Sequence, residues 1–597
     1  MTKEIIGMSA IVAIGCIGAW NADAADWTVS GFVRQEIAAK ISDDSNMNNG
    51  AGNPFNGVAE PYTGLGPTPA TFQPRPASAK INNTFNQFST RLELNLDGRL
   101  TENWSAHVKL RGIVDEIGRV ESAFRDVDLY EQPYAGSSHG ATPLEVAGKD
   151  WMADLPIAYV DYNHGPLWLR LGNQQIAWGE AIFFRVSDQV NGLDLRRHSV
   201  LGVAAEEFSD SRVPSLGLRG SYRLNEGWEL EGYTHRFQPT LLGNRDSPYS
   251  VIPSQFIVEE KTGYDASKDH WDVGAKLRGT FGDYGVSFFA IRRDNPDGVF
   301  KWTLAQGPTA IPGSAFSGAI DGSGVFNAQE FFSYAAHSRL DGLGTLESAL
   351  NQFPIGANVG GLVAGCGAPN ATPGSYRVDQ ASASCILDTF FGGGDLNGWI
   401  KREYLKENVF GGSVNHVFTG ETDGLMDQLI GRFELSYTPN KQFTNPTLSS
   451  NYIQHNETQF AFVAEKYYKF GRDVPATYFV LQWMHKSASD IFGRALEGND
   501  NTPGSRPGGI RGGSNYIALA LQQPSPTLAW RFDFTALTDL KGGWLVQPGT
   551  RWKPNKDLQF DFYVNVLGST SSSQTKTNFA QDLQYAREAF IRATYFF

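Results

Sequence analysis

Apolar residues recur at every second position in segment after segment of this chain. Leu92, Leu94 and Leu96 share one face of STRLELNL, and Trp104, Ala106, Val108 and Leu110 share one face of WSAHVKL. A period of two marks an extended strand with an apolar and a polar side. The same pattern runs through PIAYVDY and LWLRLGNQQIAW, PSLGLRGSYRL and WELEGYTHRF, HWDVGAKLRGTF and YGVSFFAIRR, and REYLKENVFGGSVNHVF and LIGRFELSYT. It continues in TQFAFVAEKYYKF and ATYFVLQWMHK, YIALALQ and LAWRFDFTAL, and GWLVQPGTRW and LQFDFYVNVL. WTVSGFVRQEI opens the set and AFIRATYFF closes it. In the closing segment Ala589, Ile591, Ala593, Tyr595 and Phe597 form an apolar face, while Arg592 and Thr594 lie on the other. The count is about 18 strands, or about 16 if two are loop segments.

The connections between these strands alternate in length. Long ones span 39–85, 115–155, 179–212, 239–269 and 295–400, and short polar links such as DGRLTEN, NHGP and NEG fall between them. Transmembrane barrels of outer membranes have short inner turns and long outer loops, so the parity predicts an all-β, antiparallel transmembrane β-barrel. The link TDLKGG is the exception, because it falls on the long-loop side and is short. The aromatic at the chain end fits a last strand that must close against the first.

Composition agrees with this picture. Charged residues are 19% and aromatics 13%, with 65 glycines, and after the first two dozen residues no apolar run reaches the length of a membrane helix. The start, MTKEIIGMSAIVAIGCIGAWNADA, has a lysine, an apolar run and an A-x-A site, which predicts a signal peptide over 1–24 and a barrel over 25–597. Lipidation at Cys16 is the competing reading, against which the residues AIG before it form a poor lipobox. The net charge of −13 argues against nucleic acid as a partner. Two cysteines remain after the signal, Cys366 and Cys385, and in an exported chain they most simply pair, adding about 3 kcal/mol by constraining the unfolded state.

Candidate chemistry concentrates in 179–212, which follows the fifth strand and is expected to fold inward. Glu180, Asp188, Asp194, Glu206 and Glu207 stand against Arg185, Arg196, Arg197 and Arg212, with Trp178, Phe183 and Phe184 beside them. Opposed charges in a narrow passage set selectivity by focusing the field, so these residues are the candidate lumen constriction and its aromatic lining. A solvated loop with mutual salt bridges would carry the same residues. The loop 295–400 is too long for a plain connection. It holds Phe331, Phe332, Ala335, Leu340, Leu343, Leu346 and Leu350 at helical spacing, which predicts a helical hairpin over or in the lumen, or a stapled surface loop.

There is no G-x-S-x-G and no H-E-x-x-H, and the ten histidines are scattered, so neither an enzyme, a metal nor a cofactor is expected. His107, His235, His416 and His485 lie in strands and read as lumen or interface residues.

WTVSGFVRQEIA, LRLGNQQIAWGEAIFF and the closing aromatic strand resemble a large family of proteobacterial outer-membrane proteins known only as a domain of unknown function. The resemblance implies a neighbouring RND-type exporter and a periplasmic protein resembling a lipoprotein carrier. It therefore implies a conduit for hydrophobic or amphipathic molecules, including lipids. A charge-selective porin for small hydrophilic or aromatic solutes, and a surface-loop binding or adhesion protein, remain as alternatives. Outer-membrane lipids and the barrel-assembly machinery are the other expected partners, the latter reading Tyr595 and Phe597 as a terminal signal.

Overall fold

The computed structural model describes residues 26–55, 59–62, 71–74, 83–131, 140–197, 211–319, 324–353, 359–392, 394–421, 424–487, 513–570 and 578–597. The expected signal segment, with Cys16, lies outside them, as do Glu206 and Glu207.

Eighteen antiparallel strands close into one barrel. In chain order they are β1 (Asp26–Lys40), β2 (Phe85–Arg99), β3 (Trp104–Asp115), β4 (Trp151–His164), β5 (Leu167–Gln174) and β6 (Ser215–Asn225). Next come β7 (Trp228–Arg236), β8 (Trp271–Phe281), β9 (Tyr284–Asp294), β10 (Lys406–Val417), β11 (Ile430–Phe443) and β12 (Ile453–Tyr468). The last six are β13 (Thr477–Lys486), β14 (Ser514–Pro524), β15 (Trp530–Asp539), β16 (Gly543–Trp552), β17 (Leu558–Ser569) and β18 (Glu588–Phe596). Each strand carries one of the alternating segments of the sequence.

Two expected boundaries move. LWLRLGNQQIAW stays in the sheet only to Gln174, because its tail turns inward. REYLKENVFGGSVNHVF is cut at Tyr404 and Leu405, and residues up to Glu403 belong to a separate small sheet.

The last strand closes the barrel against the first. β18 pairs with β1 from Phe596 opposite Phe32 to Glu588 opposite Lys40. Phe597 continues the ladder, exchanging backbone hydrogen bonds of 3.0 Å in both directions with Gly31. Its ring lies over Gly31, where an added Cβ would come within 2.9 Å of it. Tyr595 and Ile591 face outward, whereas Phe590, Arg592 and Thr594 are buried inside.

The alternation assigns the two surfaces. Leu171, Phe288, Phe281 and Val414 are exposed on the outside, and Arg91, Glu93, Arg111 and Glu231 are buried on the inside. Aromatic rings stack around the outer rim of the short-turn end, with Trp530 on Trp552 at 5.4 Å and Trp552 on Phe560 at 5.3 Å. An apolar band with aromatic girdles is the surface a bilayer requires. Among the described residues no helix is long and apolar enough to cross a membrane. TDLKGG, short as expected, is a tight turn at the long-loop end with Gly542 at φ +103°.

The long loop after β9 folds into a cap. It carries α1 (Ala328–His337), α2 (Gly342–Gln352), α3 (Val359–Gly365) and α4 (Gln380–Phe391). Residues 396–403 form the centre of its small sheet, parallel to 256–259 and antiparallel to 299–302 and 316–318. Trp302, Phe331, Phe332, Leu346, Leu350, Ile386 and Ile400 make its core. The Cys366–Cys385 disulfide joins the end of α3 to α4. First-loop asparagines tie in the fourth: Asn46 Nδ2 donates to the carbonyls of Pro248 (3.0 Å) and Ser250 (2.8 Å).

Candidate lumen site

After β5 the chain leaves the wall and crosses the lumen. The base of this crossing is tied by Asn191, whose side chain accepts from Ile176 N–H at 2.8 Å and donates to the Val213 carbonyl at 2.8 Å. Trp178 then docks on the near wall. Its Nε1 donates to Glu231 of β7 at 2.5 Å, its carbonyl accepts from Lys276 of β8 at 2.7 Å, and its ring packs among Tyr233, Phe289, Ile291 and Val409.

From Glu180 the segment runs on along β11 to β13. A backbone that crosses a lumen has no ladder partners, yet its buried N–H groups need acceptors. Strand side chains supply them. The Glu434 carboxylate of β11 accepts from the N–H groups of Glu180, Ala181 (2.8 Å) and Ser187 (2.9 Å). The Gln482 carbonyl of β13 accepts from Ile182 (3.1 Å) and Phe183 (2.9 Å). Gly179 makes the approach possible, because a Cβ there would lie 2.8 Å from the Asp188 nitrogen and 3.3 Å from Glu434 Oε2.

Apolar contacts complete the docking. Phe183 packs with Val463, Val480, Ala518, Ala520, Leu537, Leu545 and Leu567, inward-facing residues of β12 to β17. These side chains form an apolar patch on a wall that also turns Glu457, Glu465, Gln482, Gln547 and Asn565 inward. Ala181, Ile182 and Phe184 lie against it, with Phe184 5.6 Å from the Tyr516 ring. Tyr249, from the fourth long loop, joins the same cluster and donates to Glu588 at 2.9 Å.

The charges singled out in the sequence are brought together mostly with one another. Asp188 holds Arg212 at 2.8 Å and Arg185 at 3.4 Å. Asp194 holds Arg196 at 3.0 Å and Arg197 at 3.7 Å. Arg196 has no side-chain exposure and also forks onto Glu145 at 2.8 and 3.0 Å, beside β4. Burial acts to raise the Asp194 carboxyl, but Arg196 and then Arg197 outweigh it and hold it well below the usual range. Burial lowers the Arg185 guanidinium. Glu180 turns the other way, 3.4 Å from Arg432 and accepting from Asn415 at 3.1 Å.

Below the crossing, a cavity of about 310 Å³ opens to the short-turn end. Glu180, Arg223, Glu229, Lys276, Arg278 and Asn415 line it. Trp178 and Phe183 face the walls and not this cavity. Glu434, Gln482, Glu231, Lys276 and Glu145 were not singled out from the sequence. Their one signal was a polar residue at an inward position, which half of all strand residues in a barrel share.

Residues 24–587 match the family model described as "Protein of unknown function (DUF1302)". No curated protein matches the chain. Solved structures that resemble it include OccAB1 of Acinetobacter baumannii, at 7% identity and a TM-score of 0.40, covering 96% of each chain. OccK2 (OpdF) of Pseudomonas aeruginosa, in complex with glucuronate, gives 8% and 0.38, covering 96% of this chain and 97% of that one. OpdK of the same organism, with vanillate, gives 7% and 0.38, covering 96% and 98%.

Proposed function

We propose that this chain, which belongs to the DUF1302 family of proteins of unknown function, is an outer-membrane barrel that passes hydrophobic or amphipathic small molecules or lipids. The observation that supports the substrate class is the apolar patch that Val463, Val480, Ala518, Ala520, Leu537, Leu545 and Leu567 of β12 to β17 form on the lumen wall, now covered by Ala181, Ile182, Phe183 and Phe184. Water gains nothing from an apolar wall, whereas an apolar solute does, at about 25 cal/mol per Å² of surface removed from water. Passage requires the crossing segment to leave that wall. Lipid, the barrel-assembly machinery, a periplasmic carrier and an RND-type inner-membrane transporter are the proposed partners, and export is the proposed direction. The chain performs no catalysis in this role.

A second reading has an observation of its own. Arg34, Glu36, Arg91, Glu93, Arg111 and Asp154 line the lumen side of β1 to β4 in ion pairs such as Arg111–Asp154 at 2.6 Å. Such a wall suits a selective porin for small charged or aromatic solutes.

Proteoliposomes separate the two. The hydrophobe reading predicts that an apolar naphthylamine dye crosses faster with the protein than without it, and that liposomes swell little in arabinose. Fast swelling with unchanged dye transfer would establish the porin instead.

A further inference from the structure

Asp97, Ser105 and His107 meet at the short-turn end of the lumen. Asp97 of β2 lies directly opposite His107 of β3, and Ser105 precedes His107 by two residues on the same strand and face. His107 Nδ1 is 2.6 Å from Asp97 Oδ1, and His107 Nε2 is 3.2 Å from Ser105 Oγ. A carboxylate only accepts hydrogen bonds, so the proton sits on Nδ1 and Nε2 is left to accept from the serine hydroxyl. That is the wiring of an activated nucleophile: base beside hydroxyl, and orienting acid behind the base.

We propose that Ser105 is a nucleophile for carboxylic esters that enter the inner mouth of the barrel, with His107 as general base and Asp97 as its positioning residue. The group is reachable, since the His107 side chain is 30% exposed and that of Asp97 51%. Arg99, opposite Ser105 on β2, is exposed and holds no ion pair among the described residues, so a cation is at hand for the oxyanion. On the other side Asp161, opposite Ser105, is held by Arg170 at 2.7 Å, and Arg170 lies 3.6 Å over the Tyr159 ring. Tyr159 in turn lies 5.2 Å from the His107 ring and keeps it in place from the third side.

The chemistry balances without a cofactor. Ser105 Oγ bonds to the acyl carbon while His107 Nε2 takes the hydroxyl proton. The C–O bond of the ester then breaks, and the leaving alkoxide takes that proton from His107. Water attacks the acyl-serine by the same route, giving a carboxylic acid and restoring Ser105. The backbone of Ser105 is committed to the sheet, so no pair of backbone donors forms an oxyanion hole. This restricts the substrate to esters, whose leaving groups are better than those of amides.

The inference is independent of what the barrel carries. The test uses the folded, heat-modifiable full-length barrel in detergent, a fluorophosphonate dye, and peptide mapping of the labelled residue. Ser105 of the unmodified chain should carry the label. Labelling should fall at least tenfold in His107→Ala, fall partly in Asp97→Asn, and recover in Asp97→Glu. Absence of label on Ser105 in the folded chain would overturn the proposal, as would an equal rate in His107→Ala.

Discussion

Glu434 is the residue on which the crossing segment depends most. One carboxylate accepts three backbone N–H groups of that segment, and hydrogen bonds to an ionised group contribute about 1.5–3 kcal/mol each. Glu434→Gln keeps the shape but turns one oxygen into a donor facing an N–H. We predict that its crossing segment undocks at a cost of about 2 kcal/mol, read as at least tenfold faster protease cleavage between Glu180 and Ser187, with the barrel itself still heat-modifiable. Arg196 supports the other end of the loop, buried between Glu145 and Asp194. Arg196→Met leaves the buried Glu145 without its ion-pair partner and Asp194 with Arg197 alone, and should cost about 3–5 kcal/mol. The depressed Asp194 pKa sets the sign of the pH dependence. Its contribution is complete above the ordinary carboxylate range and is lost as pH falls below it. The urea midpoints of Arg196→Met and the unmodified protein should therefore differ more at about pH 7 than at about pH 3.

At the scale of elements, β18 forms the seam of the barrel with β1. Its final residue makes the last backbone pair of the seam with β1, and its outward rings face the surface where lipid is proposed. Deleting Phe597 removes that pair and the ring over Gly31. The deletion should lower the heat-modifiable fraction several-fold in cells, while refolding in detergent is less affected; equal assembly in cells would refute a signal at the terminus. The strands were legible because a two-residue period survives wherever one face meets an apolar phase. The inward path of 179–197 was suggested by its place after the fifth strand, but its anchors were not, since Glu434 and Gln482 are more than 240 residues away in sequence, as the separation of 247 between Ser187 and Glu434 shows. The helices around Phe331 and Leu346 were visible by their spacing. The sheet beneath them was hidden, because 256–259 and 396–403 meet only across loops. The Ser105–His107–Asp97 relay was hidden for a similar reason, as it needs the register of β2 on β3.

On the scale of the whole molecule, the barrel is a wall with a charged sector, an apolar patch and a bar inside the lumen. β1 to β4 present paired charges, β12 to β17 carry the apolar patch, and the segment from Trp178 to Asp188 lies in the lumen with its polar backbone satisfied by Lys276 of β8, Glu434 of β11 and Gln482 of β13. The cap closes over the long-loop end, while the cavity below the bar stays open to the short-turn end. The central claim is that this bar keeps the lumen shut until it is displaced. Single-channel recording of the heat-modifiable protein in a planar bilayer tests it most directly. The account predicts that the unmodified barrel inserts and stays closed, and that Glu434→Ala gives long openings whose size scales with salt. Steady large openings in the unmodified protein, unchanged by Glu434→Ala, would contradict it.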